Sequence, residues 1–208
     1  MTAPAEQVVF EQTIEGLFVR GLHNKISPRC RTRLKEAGLD LDRKLLPAYP
    51  FTTWMGCLKI AGEEVFAAAP PQEAQFRLGE LMIDGYKETF LGRAVLGMIR
   101  VLGPRRTLLR STQNFRSGNN YTESKIVEKS PTHIELWMNE VGAYPDFTAG
   151  IVFAAIRAAG ATNLKVEVID YDGHGCTYRV LWGQTGSTGT GGSGDSSAAT
   201  RSGSISSR

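Results

Sequence analysis

The stretch YTESKIVEKSPTHIELWMNEV, residues 121–141, decides how the chain is read. Two runs, Tyr121 to Glu128 and Thr132 to Val141, are joined through Lys129-Ser130-Pro131. In the second run Ile134, Leu136 and Met138 share one face, while His133, Glu135, Trp137 and Asn139 share the other. That period of two predicts a half-buried strand, folded back on the first run as a hairpin. Upstream, Gly118-Asn119-Asn120 has turn chemistry. Downstream, Pro145 opens a helix that carries Phe147, Ile151, Ala154, Ala155 and Ala158 and stops at Gly160. Leu164 to Tyr171 and Cys176 to Trp182 then predict a second hairpin, turned at Asp172-Gly173-His174-Gly175. Its second arm places Cys176, Tyr178, Val180 and Trp182 on one face. The order β-β-α-β-β predicts a four-stranded antiparallel sheet with the N-terminal helices packed on one side, an α+β fold.

The residues before this unit read as helices. Val8-Val9-Phe10 is a short strand or buried lead-in, and Thr13 to Leu22 carries a helical stripe through Ile14, Leu17, Phe18 and Leu22. Ser27-Pro28 supplies an N-cap and an N1 proline, and Gly38 a stop, so Pro28 to Ala37 is a helix. Pro47-Ala-Tyr-Pro50 reads as a turn, with Thr52 capping a helix that carries Trp54, Cys57, Leu58, Ala61, Val65 and Ala68. Pro70-Pro71 ends that helix and opens another with Ala74, Leu78, Leu81 and Met82 inward. Lys87 to Leu102 is nearly apolar all round, broken by Arg93 and Arg100, and reads as the central buried helix. Gly103-Pro104 stops and restarts the chain, with a further helix to about Phe115.

Composition sets the boundaries. Residues 184–208 are mostly Gly, Ser, Thr and Ala and cannot bury enough surface to offset their ordering entropy. The expected organisation is a flexible N-terminus over 1–6, one domain over 7–183 and a disordered tail over 184–208. With 24 basic against 21 acidic residues, the net charge of +3 does not argue for nucleic acid. No stretch reaches the roughly 18 apolar residues of a membrane span, and no signal-peptide pattern opens the chain, so the expected location is cytoplasmic.

No arrangement of catalytic type stands out. Cys30, Cys57 and Cys176 are widely spaced, which reads as three buried thiols rather than a metal or disulfide set. His23, His133 and His174 are isolated, so no metal site is expected. Asp170-Tyr-Asp172-Gly-His-Gly lacks the distal glutamate of a calcium loop. Two groups remain as candidates. Trp54, Tyr86 and Phe90, with Gly92 and Gly97 inside a helix, mark a ligand pocket between helices and sheet. Arg105, Arg106 and Arg110, near Gly103-Pro104, mark a surface for an anion or an acidic partner.

Six strings carry a resemblance: Gly38-Leu-Asp-Leu-Asp42, Pro47-Ala-Tyr-Pro50, Gly85-Tyr-Lys-Glu-Thr-Phe-Leu-Gly92, Leu102-Gly-Pro-Arg-Arg-Thr-Leu108, Ser117-Gly-Asn-Asn-Tyr121 and Glu135-Leu-Trp-Met-Asn-Glu-Val141. Together they resemble a paralogous myxobacterial domain family of unknown function. That family is distantly similar to the ligand-binding fold of 4-vinyl-reductase domains, TRAPP subunits and haem nitric-oxide sensors. The resemblance implies an apolar pocket and a tendency to pair with proteins. The sensor branch holds haem with a proximal histidine and a Tyr-x-Ser-x-Arg motif. Tyr121-Thr-Glu-Ser124-Lys125 differs in spacing and lacks the arginine, so the expectation is no cofactor, haem included. The functional expectation is a non-enzymatic sensor or regulatory module with a small apolar ligand. The alternative is a protein-interaction module, a homodimer or hetero-complex, using the outer sheet face at Trp137 or the Arg105/Arg106 cluster.

Overall fold

The computed structural model describes residues 6–183, so the tail read at 184–208 and most of the N-terminal segment lie outside the described residues. Strand Val8–Phe10 (β1) pairs antiparallel with Ala48–Pro50 (β2), with Val9 opposite Tyr49. The turn read at Pro47–Pro50 is therefore a short strand. Its closing proline sits at the strand end, where a missing N–H is tolerated. Glu11–Ile14 (α1) runs into a π-helical segment, Glu15–Gly21, closed by a bond from the Leu22 N–H to the Leu17 carbonyl. Pro28–Glu36 (α2) begins as its residues dictate, with Ser27 Oγ accepting from the Cys30 N–H at 3.1 Å. Phe51–Val65 (α3) and Pro71–Tyr86 (α4) follow, each entered through proline. Pro50 rather than Thr52 occupies the cap position of α3.

Phe90–Leu109 (α5) breaks at Gly103, and Ser111–Arg116 (α6) leads to the sheet. Gly103 has φ 73° and ψ 173°, a combination essentially reserved for glycine, and Pro104 restarts the helix beyond it. The helix read as central is peripheral. Phe90 and Val101 are each 86% exposed, and only Gly92, Leu96 and Ile99 of its first half are buried. A segment apolar all round shows no direction toward the core, and here its outer arc stays uncovered.

Ser124–Ser130 (β3), His133–Met138 (β4), Pro145–Ala158 (α7), Thr162–Tyr171 (β5) and Cys176–Gly183 (β6) complete the chain. The sheet is antiparallel, as the alternation predicts, with the strand order β3-β4-β6-β5. Leu136 lies opposite Tyr178 and Ile134 opposite Val180, all fully buried. Helix α7 takes the middle position. Its Phe147, Ile151 and Ala154 join the helical core, while Ala149, Val152 and Ile156 join the sheet core. Backbones meet closely where α4 crosses α7. A Cβ on Gly79 would run into the Phe147 carbonyl oxygen, and one on Gly150 into that of Phe76. The three cysteines are buried and unpaired. Among the described residues no helix is long and apolar enough to cross a membrane.

Candidate functional site

A cavity of about 120 Å³ lies between the two cores. Met82, Ile83 and Tyr86 of α4 form one wall, Leu96 and Ile99 of α5 a second, and Leu136 and Met138 of β4 a third. Phe147, Ile151 and Val152 of α7 form the floor, and the turn Gly118–Thr122 closes the far side. The lining is predominantly apolar, which suits a small hydrophobic guest.

The aromatic frame is fixed by edge-to-face packing. Trp54 meets Phe18 at 6.0 Å and Phe147 at 5.7 Å between centroids, and Tyr121 meets Phe51 at 5.0 Å. Tyr86 Oη stands 3.4 Å from Ser117 Oγ, which donates at 2.6 Å to the Asn114 carbonyl. Asn119 Oδ1 accepts from the Tyr121 and Thr122 N–H groups at 3.1 and 2.9 Å, so the turn is built around that buried amide. Burial raises the Tyr86 phenol, and burial followed by the charge of Glu140 raises that of Tyr121. Both phenols therefore stay protonated and available as donors. Among the described residues that line the cavity, Glu140 is the one charged residue, and no Lys, Arg or His belongs to the lining. Its Oε1 accepts from the Gly142 N–H at 2.9 Å, and its Oε2 lies 3.6 Å from His174 Nδ1.

Of the residues marked as a pocket in the sequence, Trp54 and Tyr86 line the cavity. Phe90 does not: it points to solvent. Gly92 is buried beside the Tyr86 carbonyl in the first turn of α5, where its N–H reaches the capping Thr89 Oγ1 at 2.9 Å. Gly97 faces open space, so close packing does not account for it. The arginines do not converge either. Arg105 is engaged by Glu128 through two bonds of 2.6 and 3.0 Å, a fork-to-carboxylate pair. Arg110 rests 3.8 Å from Met98 Sδ, while Arg106 is exposed. Sequence reasoning missed Glu140, Asn119 and Tyr121 as cavity residues. The turn Gly118-Asn119-Asn120 was the available signal.

Residues 7–183 match a family described as a protein of unknown function, DUF2378. Among curated proteins none matches. The fold is similar to that of solved H-NOX proteins. One from S. oneidensis, in the Fe(II) ligation state, is 11% identical with a TM-score of 0.63, covering 84% of this chain and 97% of that one. One from K. algicida, Fe(II) unliganded, is 12% identical with a TM-score of 0.54, over 84% and 97%. A further similar structure, described by the modulation of haem redox potential through protein-induced porphyrin distortion, is 14% identical with a TM-score of 0.51, over 83% and 90%. At these identities the likeness is one of fold.

These neighbours correct the expectation that cofactors, and haem in particular, be set aside: the fold is one that haem proteins use. The altered spacing and missing arginine at Tyr121–Lys125 are local departures that leave this shared fold intact. The side chains present answer a narrower question. Haem iron takes an axial His, Cys, Met or Tyr. The lining offers Tyr86, Tyr121, Met55, Met82 and Met138, with both phenols pushed away from the phenolate form. Among the described residues no cation lines the cavity to meet propionates, and its volume is of the order that takes a benzene-sized guest. In this shape the residues do not fit the group. Among the described residues no cluster of His, Cys, Asp and Glu could hold a metal ion.

Proposed function

The chain belongs to DUF2378, a family of unknown function, and from that premise we propose a non-catalytic module that binds a small, largely apolar molecule in the cavity between helices and sheet. The observation that carries this reading is that the cavity draws its walls from both cores, with α7 common to the two. A guest there touches helical and sheet halves together, so occupancy biases how one sits on the other, which is what a sensor requires. The thiols support a non-catalytic reading. Burial pushes Cys57 up to about 12 and Cys176 to about 11, the reverse of an activated nucleophile.

Thermal unfolding with 2-phenylethanol, benzene and toluene tests the proposal. A guest at a hundred times its Kd adds about 2.7 kcal/mol, a rise of roughly 5–10 °C for a domain of this size. Val95→Phe, which fills the cavity from α5, should abolish the rise. No rise with any probe, alongside an experimental structure with a filled cavity, would overturn the reading. Haemin that binds stoichiometrically with a Soret band would replace the apolar guest by haem.

A second reading rests on the outer arc of α5. Phe90, Leu91, Met98 and Val101 are exposed along it, with Arg93 and Arg100 on one edge and no acidic residue from Phe90 to Leu109. Such an arc fits a partner helix whose apolar face is edged with carboxylates. An antiparallel second copy would set these arginines against themselves. Fluorescence anisotropy with amphipathic peptides edged by Glu or by Lys decides it: only the Glu form should bind, and Val101→Asp should abolish binding. Equal binding of both peptides, or binding to anionic vesicles instead, counts against it.

A further inference from the structure

Resting on the cavity reading above, we infer that the cavity selects amines: molecules with an apolar, ring-sized body and a single ammonium group, in preference to carboxylates of the same body. The lining is asymmetric in charge. Among the described residues it holds one carboxylate, Glu140, and no lysine, arginine or histidine. The Glu140 side chain is only 14% exposed, so its charge acts in a partly dry setting.

The carboxylate has capacity to spare. A carboxylate accepts at about four lone-pair sites. The Gly142 N–H takes one at 2.9 Å, and the His174 imidazole stands at 3.6 Å, beyond hydrogen-bond range and an ion-pair partner only when protonated. An ammonium reaching Glu140 from inside would make a charge-assisted bond. The surrounding groups favour the same sign. Trp54, Tyr86, Phe115, Tyr121 and Phe147 all line the cavity, and aromatic rings attract cations over their faces. A carboxylate guest meets a like charge in Glu140 and, among the described lining residues, no cation to offset its desolvation. Glu140 also closes the turn through Gly142, but an amide oxygen at this position does that equally well. Turn closure alone does not call for a charge.

The test compares three probes that share a body: 2-phenylethylamine, 2-phenylethanol and phenylacetate, titrated calorimetrically into the intact chain at pH 7. The amine should bind at least about tenfold tighter than the alcohol, the margin of one charge-assisted bond, and phenylacetate should not saturate. Glu140→Gln keeps the acceptor for Gly142 and removes the charge. It should bring the amine to within about twofold of the alcohol. An alcohol that binds with no advantage for the amine overturns this inference and leaves the cavity reading standing. So does phenylacetate binding as tightly as the amine, or an amine advantage that survives in the variant. Failure of all three probes overturns the cavity reading and the inference together. The wild-type comparison stands by itself if the variant does not fold.

Discussion

At the scale of single residues, the buried polar groups set the chemical behaviour of the interior. Cys57 is 1% exposed, and burial lifts its thiol from the ordinary 9.0 to about 12. The unfolded chain releases this proton from about pH 9 upward, while the folded chain keeps it until about 12. The folded state then holds the extra proton, so its contribution to stability is complete below pH 9 and lost as pH rises toward 12. Denaturant midpoints measured from pH 8 to 11 should fall steadily, and Cys57→Ala should flatten part of that slope. Iodoacetamide at pH 8 should leave the native chain unmodified and label three thiols once denaturant is added. Gln75 makes a different point. Its Nε2 donates to the Leu58 carbonyl at 3.2 Å, but its buried Oε1 has no partner among the described residues. An unsatisfied buried acceptor costs about 1–3 kcal/mol, so Gln75→Met should raise the unfolding temperature. A fall of several degrees would show that the amide does more than fill space.

At the scale of elements, two glycines of α5 should respond in opposite senses. Gly97 is helical with open space where a Cβ would stand, so Gly97→Ala should stabilise by up to about 1 kcal/mol. Gly103 also has room, yet its φ of 73° penalises any L side chain, so Gly103→Ala should cost about 1–3 kcal/mol. Thermal melts of the two variants check both signs. The pair also shows what sequence can convey. The break at Gly103-Pro104 was legible because glycine followed by proline has few other uses. The strands were legible because alternation at Ile134, Leu136 and Met138 has only one structural reading. Helix α2 was legible from Ser27-Pro28 and Gly38. The position of α5 was not, since apolar residues on every side carry no direction, and solvent took the Phe90 and Val101 face. Strand β2 was hidden because three residues ending in proline look like a turn and pair only through a partner some forty positions away. The cavity was half legible. Trp54 and Tyr86 are large enough to be core wherever they fall, whereas Glu140 reaches the lining only through a turn whose path no local pattern fixes.

At the scale of the whole molecule, α7 ties the two cores into one unit. Gly79→Ala and Gly150→Ala would each push α4 off α7 by colliding with a backbone carbonyl, which side-chain rotation cannot relieve. Overpacking of this kind costs about 1–3 kcal/mol. Both variants should lower the melting temperature while keeping a single transition, and the appearance of two transitions would show that the cores are separable. Strand β1 reaches across the same span. The Val8 N–H donates to Asn120 Oδ1 at 2.8 Å, 112 positions along the chain, and the Phe10 N–H donates to the Gly118 carbonyl at 2.9 Å. Val9, between them, lines the cavity. Closing so long a loop is entropically slow and waits until the turn at Asn119 has formed. Strand β1 thus docks late, and until it does the cavity lacks the wall that Val9 supplies.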